Sequence, residues 1–333
     1  MCLADSRMAR RLCISQGDRS RVRQPMERSP QPASVAAGHT DVPAVSVIIP
    51  TYDRMEMLGA ALDSVAAQTF QDFEIVIVDD GSTDGTREYV ASRSERIRYF
   101  WQPNQGVAEA RNHGLRVIHS EFVAFLDSDD LWKPEFLDKT VSLLRQNPDL
   151  ALVYTRFTSM DAAGRVLPRH NKTPFAGDVT LRLFASTFIH TSAVVARSHV
   201  IRDAGGFDGR LSHNEDYDLW LRLSLRHRFG LIPEPLCLRR CHPNSLAHNG
   251  CTPEVLLRKA NLLHRFYEHG GGKPKIDAQV ANDRLAKVYY TAGKALCRAG
   301  RSKEARDALR RSLEFDRGRL KTWLWYLRSG LTS

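Results

Sequence analysis

The sequence predicts an α/β fold, with a mainly parallel, Rossmann-like sheet, flanking helices and a small α-helical region at the C-terminus. Short apolar runs alternate with helical patterns between residues 45 and 150, which is typical of parallel strands joined by crossover helices. These runs are apolar at nearly every position, as in strands that are covered on both faces. From residue 251 onward the patterns are helical.

The first half of the chain supplies the alternating elements. A proline stops the first strand, and the helical segments carry Ala and Leu at the spacing of one helix face. The predicted elements, in chain order, are the strand VSVIIP, the helix MEMLGAALDSVAAQ, the strands Phe73–Val78 and Ile97–Trp101, the helix VAEARNHGLRVI and the strand Phe122–Leu126.

The second half is mixed and then helical. LALVYTRF and FIHTSAVVAR have strand patterns, and DYDLWLRLSLRH has a helical one. Within residues 251–316, ANDRLAKVYYTAGKALCRAG and RSKEARDALRRSLEFD resemble a single helical hairpin of the tetratricopeptide type, with Gly-Arg at the turn. One such unit cannot bury its own apolar face, so it predicts no repeat array.

Composition divides the chain into three regions. Residues 1–43 are rich in Arg, Ser, Pro and Gln and lack hydrophobic periodicity, which predicts a disordered leader; Met26 is an alternative start. Residues 44–250 hold the alternating elements and form the predicted catalytic domain. Residues 251–333 form the predicted C-terminal helical extension.

Charge and cysteine content restrict the class of protein. The net charge is +10, and residues 251–333 hold 18 Lys and Arg against 8 Asp and Glu, so the middle of the chain is slightly acidic. A basic tail suits a membrane face or another anionic partner, whereas no nucleic-acid-binding motif is present. The six cysteines form no CxxC pair, which indicates free thiols in a reducing compartment. No apolar run approaches the length of a membrane span.

Polar groups follow three of the predicted strands. The segments are Pro50-Thr51-Tyr52-Asp53, Asp79-Asp80-Gly81-Ser82 and Asp127-Ser128-Asp129-Asp130. Each alone could cap a helix. Because the carboxyl ends of parallel strands share one edge of the sheet, the three together predict a ligand site.

The third segment indicates a cation. Like charges placed side by side destabilise a fold unless something positive joins them. Asp127, Asp129 and Asp130 occupy three of four consecutive positions. This spacing suggests a bound cation, together with a phosphate. A polar turn in which one aspartate caps the next helix is the alternative.

A second acidic group begins a later predicted helix. Glu215, Asp216 and Asp218 lie where the helix dipole favours negative charge, which by itself explains them. Asp216 and Trp220 are four residues apart and share a helix face. An apolar neighbour raises the proton affinity of a carboxylate, which suits a general base.

These motifs together resemble the family 2 glycosyltransferases, inverting enzymes of the glycosyltransferase A fold. The resemblance runs from about Val45 to Ser245. The motifs that carry it, in the order of the family, are VSVIIPTYDR, EIVIVDDGSTDGT, NQGVAEARNHG, FLDSDDLWKPEFL, GGFDGRL and NEDYDLWLRL. It implies a donor made of a nucleotide diphosphate and a sugar, usually a uridine nucleotide.

The resemblance also implies roles for individual residues. Asp127 and Asp129 match the DxD motif, which implies that Asp129 binds a divalent metal, Mg²⁺ or Mn²⁺, and that Asp127 lies near the metal or the ribose. Asp216 matches the catalytic base. The remaining implied residues are Pro50, Thr51 and Tyr52 in the nucleotide pocket, Asp80 at the base, and His242 and Ser245 in a loop over the diphosphate. His242 could equally be a buried structural histidine. Further site candidates are Arg111, Glu215 and Trp220.

The implied function is inverting transfer of a sugar to an acceptor hydroxyl in polysaccharide, glycolipid or glycoprotein synthesis. The expected location is cytoplasmic, with peripheral contact at the inner membrane face. A sugar-1-phosphate nucleotidyltransferase is one alternative, although such enzymes carry a Gly-rich phosphate loop after the first strand and PTYDRMEML has none. A non-catalytic helical adaptor is the other, and it would leave the acidic clusters unexplained.

The aromatic and basic tail LKTWLWYLRSGL has two interpretations. Trp323, Trp325, Tyr326 and Leu327 beside Arg319, Lys321 and Arg328 suit a membrane interface. Alternatively, the segment is a helix that packs its aromatic rings on its own domain.

Overall fold

A computed structural model of the chain describes residues 42–93, 96–168, 175–242 and 252–330. The predicted leader therefore lies almost entirely outside the described residues. Ser245 also lies outside them. The strands are β1 Val45–Thr51, β2 Phe73–Asp79, β3 Ile97–Trp101, β4 Phe122–Phe125, β5 Leu131–Trp132, β6 Leu150–Met160, β7 Val194–Arg197 and β8 Arg228–Arg240. The helices are α1 Met55–Ala66, α2 Thr86–Ala91, α3 Val107–Val117, α4 Phe136–Gln146, α5 Thr180–Ala185, α6 Ser198–Asp203, α7 Glu215–Ser224, α8 Pro253–Glu268, α9 Ala278–Arg298, α10 Ser302–Phe315 and α11 Leu320–Ser329.

The strands form one mixed sheet in the order β3-β2-β1-β4-β7-β6-β8-β5. The first four are parallel to one another, β6 is parallel to β8, and the remaining pairs are antiparallel. The predicted α/β fold with flanking helices is confirmed. The carboxyl ends of β1, β2 and β4 lie at one edge, because Thr51 pairs with Asp79 and Ile48 pairs with Phe125.

Apolar side chains cover both faces of the sheet. Along β1, Val47 and Ile49 belong to the core on one face, whereas Ile48 belongs to the core on the other. Alternate residues of a strand point to opposite faces, so a strand that is apolar at every position becomes buried on both. Burial on both faces therefore explains why these strands are apolar at nearly every position.

One predicted strand is shorter than expected. The segment FIHTSAVVAR was predicted to be extended throughout, but Thr191–Ala193 form a single 3₁₀ turn and β7 begins only at Val194. The hydroxyl of Ser192 donates to Asp130, and that of Thr191 donates to Asp216. Because Thr191 and Ser192 bond to these acids, they adopt a turn, and the strand begins only at the residue after Ala193.

The C-terminal helices share a core with the sheet domain. Phe184 of α5 packs against Phe266 and Tyr267 of α8, with ring centroids 6.2 Å apart in each pair. Helices α9 and α10 pack as the predicted hairpin, with Gly300 at positive φ in the turn. The apolar core is continuous from the sheet into the helices, and the domain boundary near residue 250 stays a prediction.

Helix α11 divides its apolar residues between packing and solvent. Trp325 lies beneath Lys294 and Arg298 of α9, and Tyr326 lies beneath Arg306 of α10. Leu320, Leu324 and Leu327 are exposed. The packing of Trp325 and Tyr326 agrees with the second interpretation of the tail, whereas membrane contact stays a prediction. None of the helices within the described ranges is long and apolar enough to cross a membrane.

Candidate active site

Three carboxylates meet where the chain leaves β4. The strand is fully buried and ends at Phe125, and the following turn carries Asp127, Asp129 and Asp130. One carboxylate oxygen from each lies within 4.8 Å of the others. The turn is closed by the backbone N–H of Asp130, which donates to the carbonyl of Asp127 over 3.0 Å.

Asp130 is the structural member of this acidic turn. One oxygen accepts hydrogen bonds from His190 Nε2 at 2.7 Å and from Ser192 Oγ at 2.6 Å. The other accepts from the backbone N–H of Arg240 at 2.8 Å. Burial opposes the charged form of His190, but Asp130 outweighs it and raises the pKa of the imidazole. With three internal donors, Asp130 ties the turn to β8.

Asp129 is contacted by two potential cations. Oδ2 accepts from Arg54 Nη1 at 2.8 Å and lies 2.9 Å from Nε2 of the buried His242. Burial, and then the neighbouring carboxylates of Asp130 and Asp127, raise the pKa of Asp129. A raised pKa means that the charged form is held against repulsion, so an added cation would stabilise this group.

Asp127 has the opposite environment. Arg111 Nη2 donates to its Oδ1 over 2.6 Å, and its backbone N–H donates to Ser192 Oγ. Burial alone would raise the pKa of Asp127, but Arg111, His190 and Arg54 outweigh it and lower that pKa. Asp127 is therefore held as a carboxylate.

Arg111 joins the acidic turn to helix α7. It lies on α3, is almost fully buried, and its Nη1 donates to Glu215 Oε1 over 2.7 Å. Burial disfavours its charge, but Asp127 and Glu215 together raise the pKa of the guanidinium. Burial and the adjacent Asp216 raise the pKa of Glu215, against the opposing effect of Arg111.

Asp216 is the more accessible of the two acids at the start of α7. Thr191 Oγ1 donates to its Oδ2 over 2.9 Å, and the N–H of Tyr217 donates to its Oδ1 over 2.6 Å. Asp216 is half-buried, whereas Glu215 is buried. Trp220 is enclosed in the core, where its ring packs edge-on against Phe207.

The ends of β1 and β2 supply the other predicted candidates. Asp80 accepts hydrogen bonds from Gln102 Nε2 and from the backbone N–H groups of Gln105 and Gly106, at 2.7 to 2.9 Å. It therefore fixes the turn before α3. Thr51 is buried, and its Oγ1 has no hydrogen-bond partner among the described residues, whereas Tyr52 is about half exposed.

A small cavity of about 90 Å³ lies at this edge of the sheet. It brings together the predicted residues Pro50, Arg111, Asp127 and Asp129. Its lining also includes cationic groups that were not singled out from the sequence: Arg54, His190, Arg239 and Arg240. Arg54 directly follows the PTYD segment, and the paired arginines directly precede Cys241-His242, so adjacency to those segments was the available signal.

Comparison with known proteins agrees with this arrangement. Residues 46–203 match the family model described as glycosyl transferase family 2. The matched segment belongs to glycosyltransferase family 2. This segment contains the acidic turn and Arg111 and ends before α7.

Curated relatives of the chain come from several bacteria. An uncharacterized glycosyltransferase of Rickettsia typhi is 31% identical over 192 residues, which cover 55% of this chain and 59% of that protein. The chondroitin synthase of Escherichia coli is 32% identical over 187 residues, covering 55% of this chain and 27% of the synthase. The chain thus matches between about a quarter and three fifths of these relatives' lengths.

Solved structures share the fold of the chain over most of its length. Staphylococcus aureus TarS 1–349 in complex with UDP gives a TM-score of 0.56 at 20% identity, covering 86% of this chain and 90% of that one. The mannosyltransferase PcManGT of Pyrobaculum calidifontis, in complex with GDP-Man and Mn²⁺, gives 0.54 at 19% identity, covering 88% and 81%. At these sequence identities, the structural similarity shows a shared fold and nothing more.

Proposed function

We propose that this protein is an inverting glycosyltransferase that moves a sugar from a nucleotide-diphosphate donor to an acceptor hydroxyl. One observation carries the proposal. The acidic turn after β4, suited to a metal and a diphosphate, is joined through Arg111 to the start of α7, where Asp216 lies. One buried arginine thus holds both the donor-binding turn and Glu215, the residue next to the candidate base.

The acidic turn fits a divalent metal, Mg²⁺ or Mn²⁺. Both ions prefer hard oxygen ligands and are commonly held by one or two carboxylates plus substrate phosphates. Asp130 is already engaged by three internal donors, so Asp129 and Asp127 are the proposed ligands. A bound metal would neutralise charge on the leaving diphosphate. The Mn²⁺ in the complex of the mannosyltransferase supports this assignment.

The edge of the sheet suits a nucleotide diphosphate. Arg54, Arg239 and Arg240 line the cavity beside the acids, and guanidinium groups bind phosphate oxygens bidentately. At the end of β1 lie Thr51 and Tyr52. The hydroxyl of Thr51, which has no hydrogen-bond partner among the described residues, offers a polar contact. Complexes of the structural neighbours with UDP and with GDP-Man support a nucleotide-sugar donor, with UDP as the first candidate.

Asp216 is the proposed general base. Glu215 is buried and bonded to Arg111, whereas Asp216 is half-buried and held by Thr191. In the proposed step, Asp216 takes the proton of the acceptor hydroxyl. The hydroxyl oxygen forms a bond to the anomeric carbon as the bond to the diphosphate breaks on the opposite face. A single displacement inverts the anomeric centre, and no enzyme nucleophile is required.

The proposed setting is polysaccharide or glycolipid synthesis, with peripheral contact to a membrane. The matched segment of chondroitin synthase supports a polymer-forming role. Leu320, Leu324 and Leu327 leave an apolar stripe exposed on α11, and residues 251–333 carry the basic surplus of the chain. An exposed apolar stripe next to Lys and Arg favours an anionic lipid surface.

The proposal is tested by nucleotide binding and by turnover. Titration with UDP and GDP, each with and without Mn²⁺, should show saturable binding that the metal strengthens. NMR of reactions with nucleotide sugars should then reveal a product whose anomeric configuration is opposite to that of the donor. Retention at the anomeric carbon would contradict inversion, and absence of nucleotide binding would favour the non-catalytic adaptor. Consumption of a nucleoside triphosphate with a sugar 1-phosphate would identify a nucleotidyltransferase instead.

A further inference from the structure

A second cavity lies among the C-terminal helices, with a volume of about 410 Å³. This volume is within the range of small-molecule sites. Helix α8 forms one wall, and Tyr289 of α9, Arg311 of α10 and Leu211 of the loop before α7 complete it. The other lining residues lie on α8, namely Arg258, Asn261, Leu262, His264, Arg265 and Glu268, or directly after it, namely His269.

A polar network holds one arginine at the cavity. The hydroxyl of the buried Tyr289 donates to Asn261 Oδ1 over 2.9 Å and lies 3.0 Å from His264 Nδ1. Nη1 of Arg311 is 3.2 Å from both Asn261 Oδ1 and the Tyr289 hydroxyl. Asn261 and Tyr289 fix the guanidinium of Arg311 through oxygens that carry no charge, so its positive charge is not neutralised there.

The carboxylates near the cavity are already paired with other cations. Glu268 pairs with Lys273, and Asp218 pairs with both Arg222 and Arg265. In contrast, neither Arg258 nor Arg311 has a carboxylate within 4.0 Å among the residues described. Arg258 contacts the hydroxyl of Ser212. The cavity thus presents two guanidinium groups that lack a carboxylate partner, above an apolar floor of Leu211 and Leu262.

One loop links the cavity to the proposed catalytic region. Leu211, in its wall, and Ser212, bonded to Arg258, belong to the loop that leads into Glu215 and Asp216 at the start of α7. A ligand in the cavity would therefore lie beside the loop that positions the candidate base.

We propose that this cavity binds an oxyanion, a phosphate or a carboxylate, carried by the sugar acceptor. Arg258 and Arg311 bind the anion, and the apolar floor receives the adjoining part of the acceptor. The planar fork of a guanidinium matches the paired oxygens of a phosphate or carboxylate. The assignment to the acceptor rests on the proposed glycosyl transfer, whereas binding of the anion does not.

Three proteins test the inference: the unmodified chain, R258Q/R311Q, and K287Q/K303Q. The last double variant removes the same charge from exposed lysines of α9 and α10 outside the cavity. Inorganic phosphate, glucuronate and neutral glucose are titrated at constant ionic strength, with UDP and Mg²⁺ present to fill the donor site. The binding of UDP to each protein is measured separately.

We expect saturable binding of phosphate or glucuronate, but not of glucose, to the unmodified chain. R258Q/R311Q should weaken it at least about tenfold, since hydrogen bonds to charged groups are strong, while K287Q/K303Q changes it by less than about twofold. UDP affinity should be equal in all three. Preference for phosphate or for glucuronate tells which oxyanion the acceptor carries.

Two results would overturn the inference. The first is that neither anion binds saturably to the unmodified chain. The second is that both double variants weaken anion binding equally, which is the result expected from general charge attraction. Failure of UDP to bind, with selective anion binding intact, would instead remove the proposed glycosyl transfer and the assignment to an acceptor, leaving the anion site itself in place.

Discussion

Arg111 and Glu215 are 104 positions apart in the sequence, yet their side chains form a 2.7 Å ion pair. The same guanidinium contacts Asp127 at 2.6 Å. A single buried residue of α3 therefore fixes both the turn after β4 and the first residue of α7. The relative positions of the proposed donor and acceptor groups depend on this contact.

Replacement of Arg111 by methionine should destabilise the protein strongly. The change leaves Asp127 and Glu215 buried without their cation, and breaking a buried pair typically costs about 3–5 kcal/mol. Urea unfolding measures the effect. R116M, on the same helix but largely exposed, is the control and should change the free energy of unfolding by less than about 0.5 kcal/mol. Equal stability of the two variants would mean that Arg111 does not hold the site together.

The variant D129N should separate metal-dependent from metal-independent nucleotide binding. Loss of one charged ligand weakens the binding of a divalent metal. Mn²⁺ should therefore no longer strengthen UDP binding, and turnover should be lost as well. Calorimetric titration with Mn²⁺ and with EDTA gives the two affinities. D138N, which removes an exposed acid of α4, should behave like the unmodified protein. An undiminished effect of Mn²⁺ on D129N would rule out Asp129 as a ligand.

The variant D216N should retain donor affinity but lose catalysis. A positioned general base contributes roughly 10²–10⁴-fold, or about 3–5 kcal/mol of transition-state stabilisation, which appears in kcat. Steady-state kinetics and UDP binding measure the two effects, and an unchanged melting curve is the control.

E215Q gives the comparison within the acidic pair. It weakens the ion pair with Arg111, so it should lower thermal stability, while the base remains. If E215Q abolished transfer in folded protein and D216N stayed active, the catalytic base would be Glu215.

The exposed leucines of α11 should mediate attachment to anionic membranes. L320Q/L324Q/L327Q removes apolar surface that is already in solvent, so folding should be unaffected while binding to anionic liposomes falls. Flotation is the measurement, with L181Q/V280Q, also exposed, as the matched control. Equal flotation of all three proteins would exclude the membrane interpretation of the tail.

Removal of residues 1–42 should leave the rest of the protein unchanged. The composition of this leader offers little apolar surface to bury, so a chain that starts at Pro43 should keep its melting temperature and its donor affinity. Differential scanning calorimetry and UDP titration measure both. A marked decrease in either would show that the leader packs on the folded part.

The fold was predictable because it depends on local patterns. The largely apolar runs VSVIIP and FVAFL reflect burial on both faces of the sheet, and parallel pairing then brings their ends to one edge. The convergence of Pro50, Asp127 and Asp129 on one cavity follows from that topology. The 3₁₀ turn that shortens the predicted strand before Val194 was missed, because the hydrogen bonds of Thr191 and Ser192 to distant acids leave no periodic signal in the sequence.

The sequence by itself determined the alternation of apolar strands and helices in the first half of the chain, the edge of the sheet at which polar groups collect, and the resemblance to a glycosyltransferase family. These features depend on residue type and on spacing along the chain. Only the tertiary structure decided that Asp130 is bonded internally while Asp129 faces Arg54 and His242, and that Arg258 and Arg311 face one cavity. Such relationships depend on the local electrostatic environment, which is created when residues distant in sequence become neighbours in space.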